Sequence, residues 1–251
     1  MSHRYVFVGG LHGSGTSLVH RWLRAHPAVS GFSGTGVPQD EGQHLQRLLP
    51  TARSLGGRGR FGFALQAHLT EKSELAVPSA AAELLADWEA HWPGDREIRV
   101  EKSPPNMLRF RLLQSLFPGA LCVLVVRHPL AVAASTRKKG RLSRFRSRRA
   151  LVEHWLHCHE TFARDRPSLQ HLVVLRYEDL VVAPETGLDS VFSALGQPGI
   201  PAPEAVDLTR DRAAAGQWAT RLGRGPRPSR LLKLEARALA WGYSLEGFGT
   251  T

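Results

Sequence analysis

The amino-terminal segment, where a short apolar run leads through a glycine-rich turn into a helix, constrains the fold more than any other part of the chain. Residues 5–9 read Tyr-Val-Phe-Val-Gly and predict a buried strand. Residues 10–17, Gly-Leu-His-Gly-Ser-Gly-Thr-Ser, follow at once, and residues 14–25 have helical spacing up to the proline at position 27. This order predicts an anion-binding turn, because backbone N–H groups converge on the anion and the helix N-terminus adds partial positive charge.

The same turn is close to the phosphate loop of nucleotide triphosphatases but departs from it. Gly10 and Gly15 have the spacing of that loop, whereas Thr16 stands where the triphosphatase motif requires lysine. In addition, no apolar strand of the sequence ends in the aspartate that would bind Mg²⁺. The turn therefore predicts a cradle for phosphate or sulfate, and an ATP- and Mg²⁺-dependent kinase or phosphotransferase stays an alternative.

The rest of the chain alternates between strands and helices. Residues 121–126 are the clearest strand, an unbroken apolar run typical of a central parallel strand buried on both faces. The alternation favours a single α/β domain over residues 1–251, P-loop-like, with a central parallel sheet, flanking helices and right-handed crossovers. Two stretches rich in glycine and in polar or basic residues, 31–78 and 196–228, are predicted to be lids over the substrates. Further strands are predicted at 98–101 and 172–176, and helices at 40–49, 80–92, 107–117, 130–136, 148–164, 184–195 and 229–241.

The chain is strongly basic, with a formal net charge of +11 from 33 Lys and Arg against 22 Asp and Glu. Guanidinium groups bind phosphate and sulfate through paired hydrogen bonds, so this composition favours an anionic ligand. The basic run at 137–149 is also compatible with a second alternative, a non-catalytic nucleic-acid-binding protein. Apolar runs are too short for a signal peptide or a membrane span, and Cys122 and Cys158 lie in apolar contexts. We therefore expect a cytoplasmic protein without disulfides.

Two further motifs stand at strand ends. Arg127 follows the strand at 121–126, at the edge where ligands bind in parallel α/β sheets, and Ser135 lies two turns along the next helix. Tyr177 follows the strand at 172–176. With the glycine turn, these motifs resemble those of the sulfotransferases that use 3′-phosphoadenosine-5′-phosphosulfate (PAPS) as sulfuryl donor and release adenosine 3′,5′-bisphosphate (PAP).

The resemblance covers residues 10–180 and implies a role for each motif. Arg127 and Ser135 are expected to bind the 3′-phosphate of the donor, and Tyr177 to lie near its adenine. The turn is expected to bind the 5′-phosphosulfate through Gly13, Ser14, Gly15, Thr16 and Ser17.

One position of the turn departs from the family pattern. Sulfotransferases usually carry lysine or arginine immediately before the serine of the turn, and this sequence has Gly13 there. Lys102, in the segment Glu-Lys-Ser-Pro, resembles a lysine that approaches the donor in glycan sulfotransferases and is expected to supply the missing cation. A protonated His12 is the other candidate.

A general base has to take the proton of the acceptor as the acceptor attacks sulfur. Asp40, Glu41 and His44 begin a predicted short helix, in which Glu41 and His44 share a face. Relatives of the tyrosyl-protein and glycan type use a glutamate downstream of the first helix, whereas the cytosolic phenol and steroid enzymes use a histidine. We therefore predict Glu41 as the base and a chain closer to the former type. His44 is the second candidate, and His68 and Glu71 come behind it.

Together these features predict direct in-line transfer of a sulfuryl group from PAPS to a hydroxyl or amine, with no covalent enzyme intermediate and no metal. Small molecules, glycans and peptides all stay open as acceptors, and so does the oligomeric state. Neither nucleic acid nor a membrane span is expected.

Overall fold

The computed structural model describes residues 3–139, 147–201 and 228–246. Its parallel strands form one five-stranded sheet in the order β2-β3-β1-β4-β5, so the prediction of an α/β fold with a central parallel sheet is confirmed. The strands are β1 (Arg4–Gly10), β2 (Val29–Gly31), β3 (Ile98–Lys102), β4 (Leu121–Val126) and β5 (Leu172–Arg176).

Helices cover both faces of the sheet. The α-helices are α1 (Thr16–Arg24), α2 (Pro78–Trp88), α3 (Phe110–Leu116), α4 (Pro129–Lys139), α5 (Arg148–Asp165), α6 (Tyr177–Val182), α7 (Pro184–Ala194) and α8 (Pro228–Leu239). Short 3₁₀ helices lie at Pro38–Asp40, Gly42–His44, Phe61–Phe63, Leu65–Ala67, Glu89–His91, Pro104–Leu108 and Arg166–Ser168. Within the described ranges, no helix is both long enough and apolar enough to cross a membrane.

The period-2 alternation of strand side chains divides the core into two layers. Val6 and Val8 of β1 pack against α1, α6 and α7 on one face of the sheet. Phe7, between them in sequence, points to the other face and packs with residues of α2, α3 and α5. The central strands are buried from both sides, which explains why β1 and β4 read as continuous apolar runs.

The helix predicted at 40–49 is wrong. Two 3₁₀ turns stand there instead, and Gln39 and Asp40 have positive φ angles of 58° and 49°. The amide oxygen of Gln43 accepts a hydrogen bond from the Ala52 N–H at 2.8 Å, and that of Gln46 accepts one from the Leu49 N–H at 2.6 Å. Side-chain amides that bond the backbone in this way compete with the helical pattern.

The segment predicted to be a lid at 31–78 has few regular elements, yet it is anchored to the core. Phe32 and Phe61 are fully buried. The Gly62 N–H donates to Nε2 of His154 on α5 at 3.1 Å. The second predicted lid, 196–228, lies mostly outside the described residues, as do positions 140–146 of the basic run.

Candidate functional site

The candidate site is built at the carboxyl edge of the sheet, where the turn after β1 meets the segments after β3, β4 and β5. In the sheet Gly10 lies opposite Val125 of β4, and Val8 lies opposite Lys102 of β3. Parallel strands therefore bring residues distant in sequence to one edge, the usual ligand-binding edge of an open α/β sheet.

The glycine turn has the backbone conformation of an anion cradle. Gly13 and Gly15 have φ angles of 91° and 108°, which side chains disfavour, and Gly15 immediately precedes α1. The first N–H groups of a helix have no partners within the helix, so those of Thr16 and Ser17 are available to a ligand. The Ser14 hydroxyl is 1% exposed by residue and has no hydrogen-bond partner among the residues that the structure describes.

Arg127 folds onto this turn. Its Nη1 donates to the Gly13 carbonyl at 2.7 Å, and its guanidinium lies 4.0 Å from the centroid of the Tyr177 ring. That distance is within the range of a cation–π contact. The indole N–H of Trp155 on α5 donates to the Arg127 carbonyl at 3.0 Å and so helps to fix the backbone of Arg127.

Ser135 and Tyr177 also touch the turn. A Cβ atom at Gly13 would lie 2.7 Å from the Ser135 hydroxyl oxygen, and a Cβ atom at Gly15 would lie 2.4 Å from the Tyr177 ring. At both positions, glycine therefore allows a neighbouring side chain to approach closely and also allows a positive φ angle. The residues assigned to the donor by resemblance thus converge on one place, and Ser135 fills the space next to the position where relatives carry a cation.

A second cluster surrounds Lys102 at the end of β3. Its Nζ donates to the Gln39 carbonyl at 2.7 Å and to the Ser17 hydroxyl at 3.3 Å, and it lies 3.5 Å from Oε1 of Glu41. The Lys102 side chain is 0% exposed and that of Glu41 is 4% exposed. Burial lowers the pKa of Lys102, although Glu41 and Glu101 oppose that shift. The cation expected from Lys102 therefore lies beside the first turn of α1.

Glu41 and His44 are brought together, although by a 3₁₀ turn rather than by the predicted helix. His44 Nε2 lies 3.7 Å from Oε2 of Glu41. Burial lowers the pKa of His44, and the neighbouring Glu41 carboxylate opposes that shift. Asp40 is engaged elsewhere, since its Oδ1 accepts hydrogen bonds from the backbone N–H and the hydroxyl of Thr35.

His12 lies inside the protein in an edge-to-face contact with Phe61, at 5.8 Å between ring centroids. Burial lowers its pKa well below the usual range, and the Arg58 charge adds to that shift. The imidazole is therefore neutral near pH 7, which argues against the cationic role considered from the sequence. The Thr136 hydroxyl donates to the His12 carbonyl at 3.1 Å and ties the turn to α4.

The less favoured base candidates are occupied by other partners. His68 Nε2 lies 2.7 Å from Oδ2 of Asp165, and Glu71 forms an ion pair with Arg111. Neither side chain therefore joins the cluster around Lys102.

The sequence interpretation missed three polar residues beside Glu41. The Ser103 hydroxyl accepts a hydrogen bond from the Gln43 N–H at 2.7 Å and donates to Oε1 of Glu101 at 2.6 Å. The Gln43 side-chain amide donates to Oε2 of Glu41. The only sequence signal for these residues was the position of Glu101 and Ser103 on either side of Lys102.

Comparisons with known proteins concern the family and the fold. The model of the "Sulfotransferase family" matches residues 5–201. A sulfotransferase from Mycobacterium avium aligns over 98% of this chain and 78% of its own, with a TM-score of 0.58 and 14% identity. The sulfotransferase domain of the Synechococcus olefin synthase aligns over 97% and 95%, with a TM-score of 0.58 and 20% identity. The sulfotransferase domain from the curacin biosynthetic pathway aligns over 97% and 99%, with a TM-score of 0.56 and 16% identity.

The similarity to these solved structures is a similarity of fold. It confirms the predicted P-loop-like α/β class. A search of curated proteins with the sequence finds no match.

Proposed function

The chain belongs to the sulfotransferase family, and from this premise we propose that it transfers the sulfuryl group of PAPS to a hydroxyl or amine acceptor by direct in-line displacement. One observation carries the proposal. The Arg127 guanidinium donates to the Gly13 carbonyl at 2.7 Å, so the glycine turn and the residue that follows β4 lie against each other. A donor with phosphate groups at both its 5′ and 3′ positions fits a site with two adjoining anion-binding parts.

Each part of the site offers groups that suit one part of the donor. Residues 13–17 would hold the 5′-phosphosulfate through backbone N–H groups and hydroxyls, and the buried Ser14 hydroxyl is a donor that still lacks a partner in the described structure. Arg127 and Ser135 would hold the 3′-phosphate. Tyr177 would lie near the adenine, while its ring also supports the Arg127 guanidinium.

The cluster around Lys102 suits the transfer step. Glu41 would take the acceptor's proton while the acceptor oxygen or nitrogen forms a bond to sulfur and the bond from sulfur to the bridging oxygen breaks. Lys102, Ser14 and Thr16 would stabilise the negative charge that develops on the departing PAP. No metal is required, because a buried ammonium group supplies the charge that Gly13 does not.

Glu41 is the favoured base because its carboxylate lies 3.5 Å from the Lys102 ammonium, the group proposed to stabilise the departing PAP. His44, whose pKa burial lowers, is the second candidate. His12, which belongs to the turn, would serve only as a neutral hydrogen-bonding group. With a carboxylate base, we propose a chain closer to the tyrosyl-protein and glycan type. A small molecule, a glycan or a peptide is the proposed acceptor, and the cytoplasm is the proposed location.

Isothermal titration calorimetry with PAP in EDTA tests the donor assignment. We expect saturable binding by the wild-type protein. An Arg127→Gln variant should bind PAP about 10- to 100-fold more weakly, because a charge-assisted hydrogen bond contributes about 1.5–3 kcal/mol. Arg96→Gln is the matched control, since Arg96 also donates to a backbone carbonyl, that of Val29 at 2.7 Å, but at the opposite edge of the sheet.

The alternatives give different results in the same experiment. A kinase would bind ATP only with Mg²⁺ and would not prefer PAP. A nucleic-acid-binding protein would bind DNA or RNA with an affinity that falls steeply with salt, and equal losses in the Arg127 and Arg96 variants would indicate that behaviour. Either result would contradict the proposal.

A further inference from the structure

The candidate base sits on a short irregular segment that needs support to keep one conformation. Glu41 itself is extended, with φ −83° and ψ 122°, and the preceding Gln39 and Asp40 have positive φ angles. Such backbone persists where surrounding contacts determine it. The conformation at Glu41 therefore depends on contacts between this segment and the rest of the chain.

Those contacts come from the residues on either side of Lys102. Glu101, 1% exposed, accepts a hydrogen bond from the Ser103 hydroxyl at 2.6 Å and another from the Asn106 side-chain amide. The Ser103 hydroxyl in turn accepts the Gln43 N–H at 2.7 Å. Because a hydroxyl has one hydrogen, its donation to Glu101 orients its lone pairs toward Gln43.

Gly42 lies directly on the Glu101 carboxylate. A Cβ atom at Gly42 would be 2.3 Å from Oε1 and 2.5 Å from Cγ of Glu101, so only glycine allows this approach. The Gly42 carbonyl also accepts the indole N–H of Trp88 at 3.0 Å. The backbone next to Glu41 is thus held from two sides.

We propose that Glu101 and Ser103 are positioning residues that hold the Gly42–Gln43 backbone and thereby fix the Glu41 carboxylate beside Lys102. This inference rests on the proposed role of Glu41. One strand end then supplies both the cation and the support of the base, and the Gln43 amide, which donates to Glu41, completes the link.

Ser103→Ala tests the proposal by deleting the hydroxyl that connects the two segments. PAPS turnover with water as the acceptor gives kcat and KM. We expect kcat to fall about 10- to 100-fold, since displacement of a reacting group by about 1 Å has an effect of that size, while KM for PAPS and the affinity for PAP stay unchanged. Ser30→Ala is the matched control, because Ser30 is also fully buried and donates to a backbone carbonyl, that of Pro93 at 2.9 Å.

Hydrogen exchange of residues 41–46, followed by mass spectrometry, reports the position of the segment without any turnover. It should accelerate in Ser103→Ala and stay at the wild-type rate in Ser30→Ala. Two Glu101 variants provide a second test. Glu101→Gln keeps an acceptor oxygen for Ser103 and should lose less kcat than Glu101→Leu, which keeps none.

Unchanged exchange in Ser103→Ala would overturn the proposal. So would a loss of kcat no larger than that of Ser30→Ala, or a loss matched by a weaker affinity for PAP. A wild-type protein that neither binds PAP nor consumes PAPS would instead reject the proposed function, and the exchange experiment would still report whether Ser103 holds the segment.

Discussion

Gly62 and Cys158 make a contact so close that a single added methyl group should disturb it measurably. A Cβ atom at Gly62 would lie 2.2 Å from the Cys158 sulfur and 3.2 Å from Nε2 of His154. Cys158 is fully buried in α5, where few side-chain rotamers are allowed, so its sulfur has little room to move. Gly62→Ala should therefore destabilise the protein by about 1–3 kcal/mol, the usual cost of overpacking a core.

In a protein of this size, that loss corresponds to a decrease in Tm of about 2–12 °C, measurable by calorimetry or circular dichroism. Cys158→Ala alone should cost about 1 kcal/mol, since it removes roughly one buried methylene equivalent. Once the sulfur is absent, Gly62→Ala should cost much less, since only the 3.2 Å approach to His154 stays tight. The double variant should therefore be nearly as stable as Cys158→Ala, with a coupling free energy of about 1–3 kcal/mol.

Additive effects in this cycle would refute the reasoning, because they would mean that the two residues do not meet. A neutral Gly62→Ala would refute it as well. Either result would also mean that the contact between Gly62 and Cys158 does not anchor the segment at 61–63 to α5.

Three further predictions concern titratable groups. Burial raises the pKa of Glu101 to about 7, so this group contributes stability that is present below pH 4.5 and is lost as the pH rises toward 7. That loss, about 3 kcal/mol, should be absent from Glu101→Gln when urea unfolding is compared at the two pH values. Burial lowers the pKa of His20 to about 3, so its contribution to stability is present above pH 6.5 and is lost as the pH falls toward 3. This loss of stability reaches up to about 5 kcal/mol, and His20→Leu should reduce it in acid unfolding. The ion pair of Arg237 and Glu160, with contacts of 2.6 and 2.8 Å, is only half-buried, with side chains 40% and 35% exposed, so a double-mutant cycle should yield about 1 kcal/mol or less.

Much of the fold was predictable because its signals are local. The apolar runs of β1, β4 and β5 and the glycine turn each depend on neighbouring residues, and the structure places these strands within a residue of the predicted ends. β2 was missed because its three residues are too few to show a periodicity. The short helix α6 was missed, since its first residues were identified only as a motif that follows a strand.

The candidate site was predictable only in part. Arg127 and Lys102 were identifiable because each stands at a strand end, where ligand-binding residues lie in such sheets. The pairing of Lys102 with Glu41 needs three-dimensional contact between segments, and the pattern of residues 40–49 predicted a helix that side-chain amides prevent. The roles of these residues in binding and transfer stay predictions until the variants are measured.

The hydrogen bond from Arg127 to Gly13 joins residues 114 positions apart, and that from Lys102 to Ser17 joins residues 85 apart. A growing polypeptide can form α1 early, but it cannot close these two loops until β3 and β4 have left the ribosome and joined the sheet. Contacts between such distant residues form slowly, because closing a long loop costs chain entropy before the stabilising contact has formed. The contact of Arg127 and Lys102 with the segment at 13–17 is therefore a late event in folding, and a nascent chain that stops short of β4 has helices but lacks the Arg127 contact.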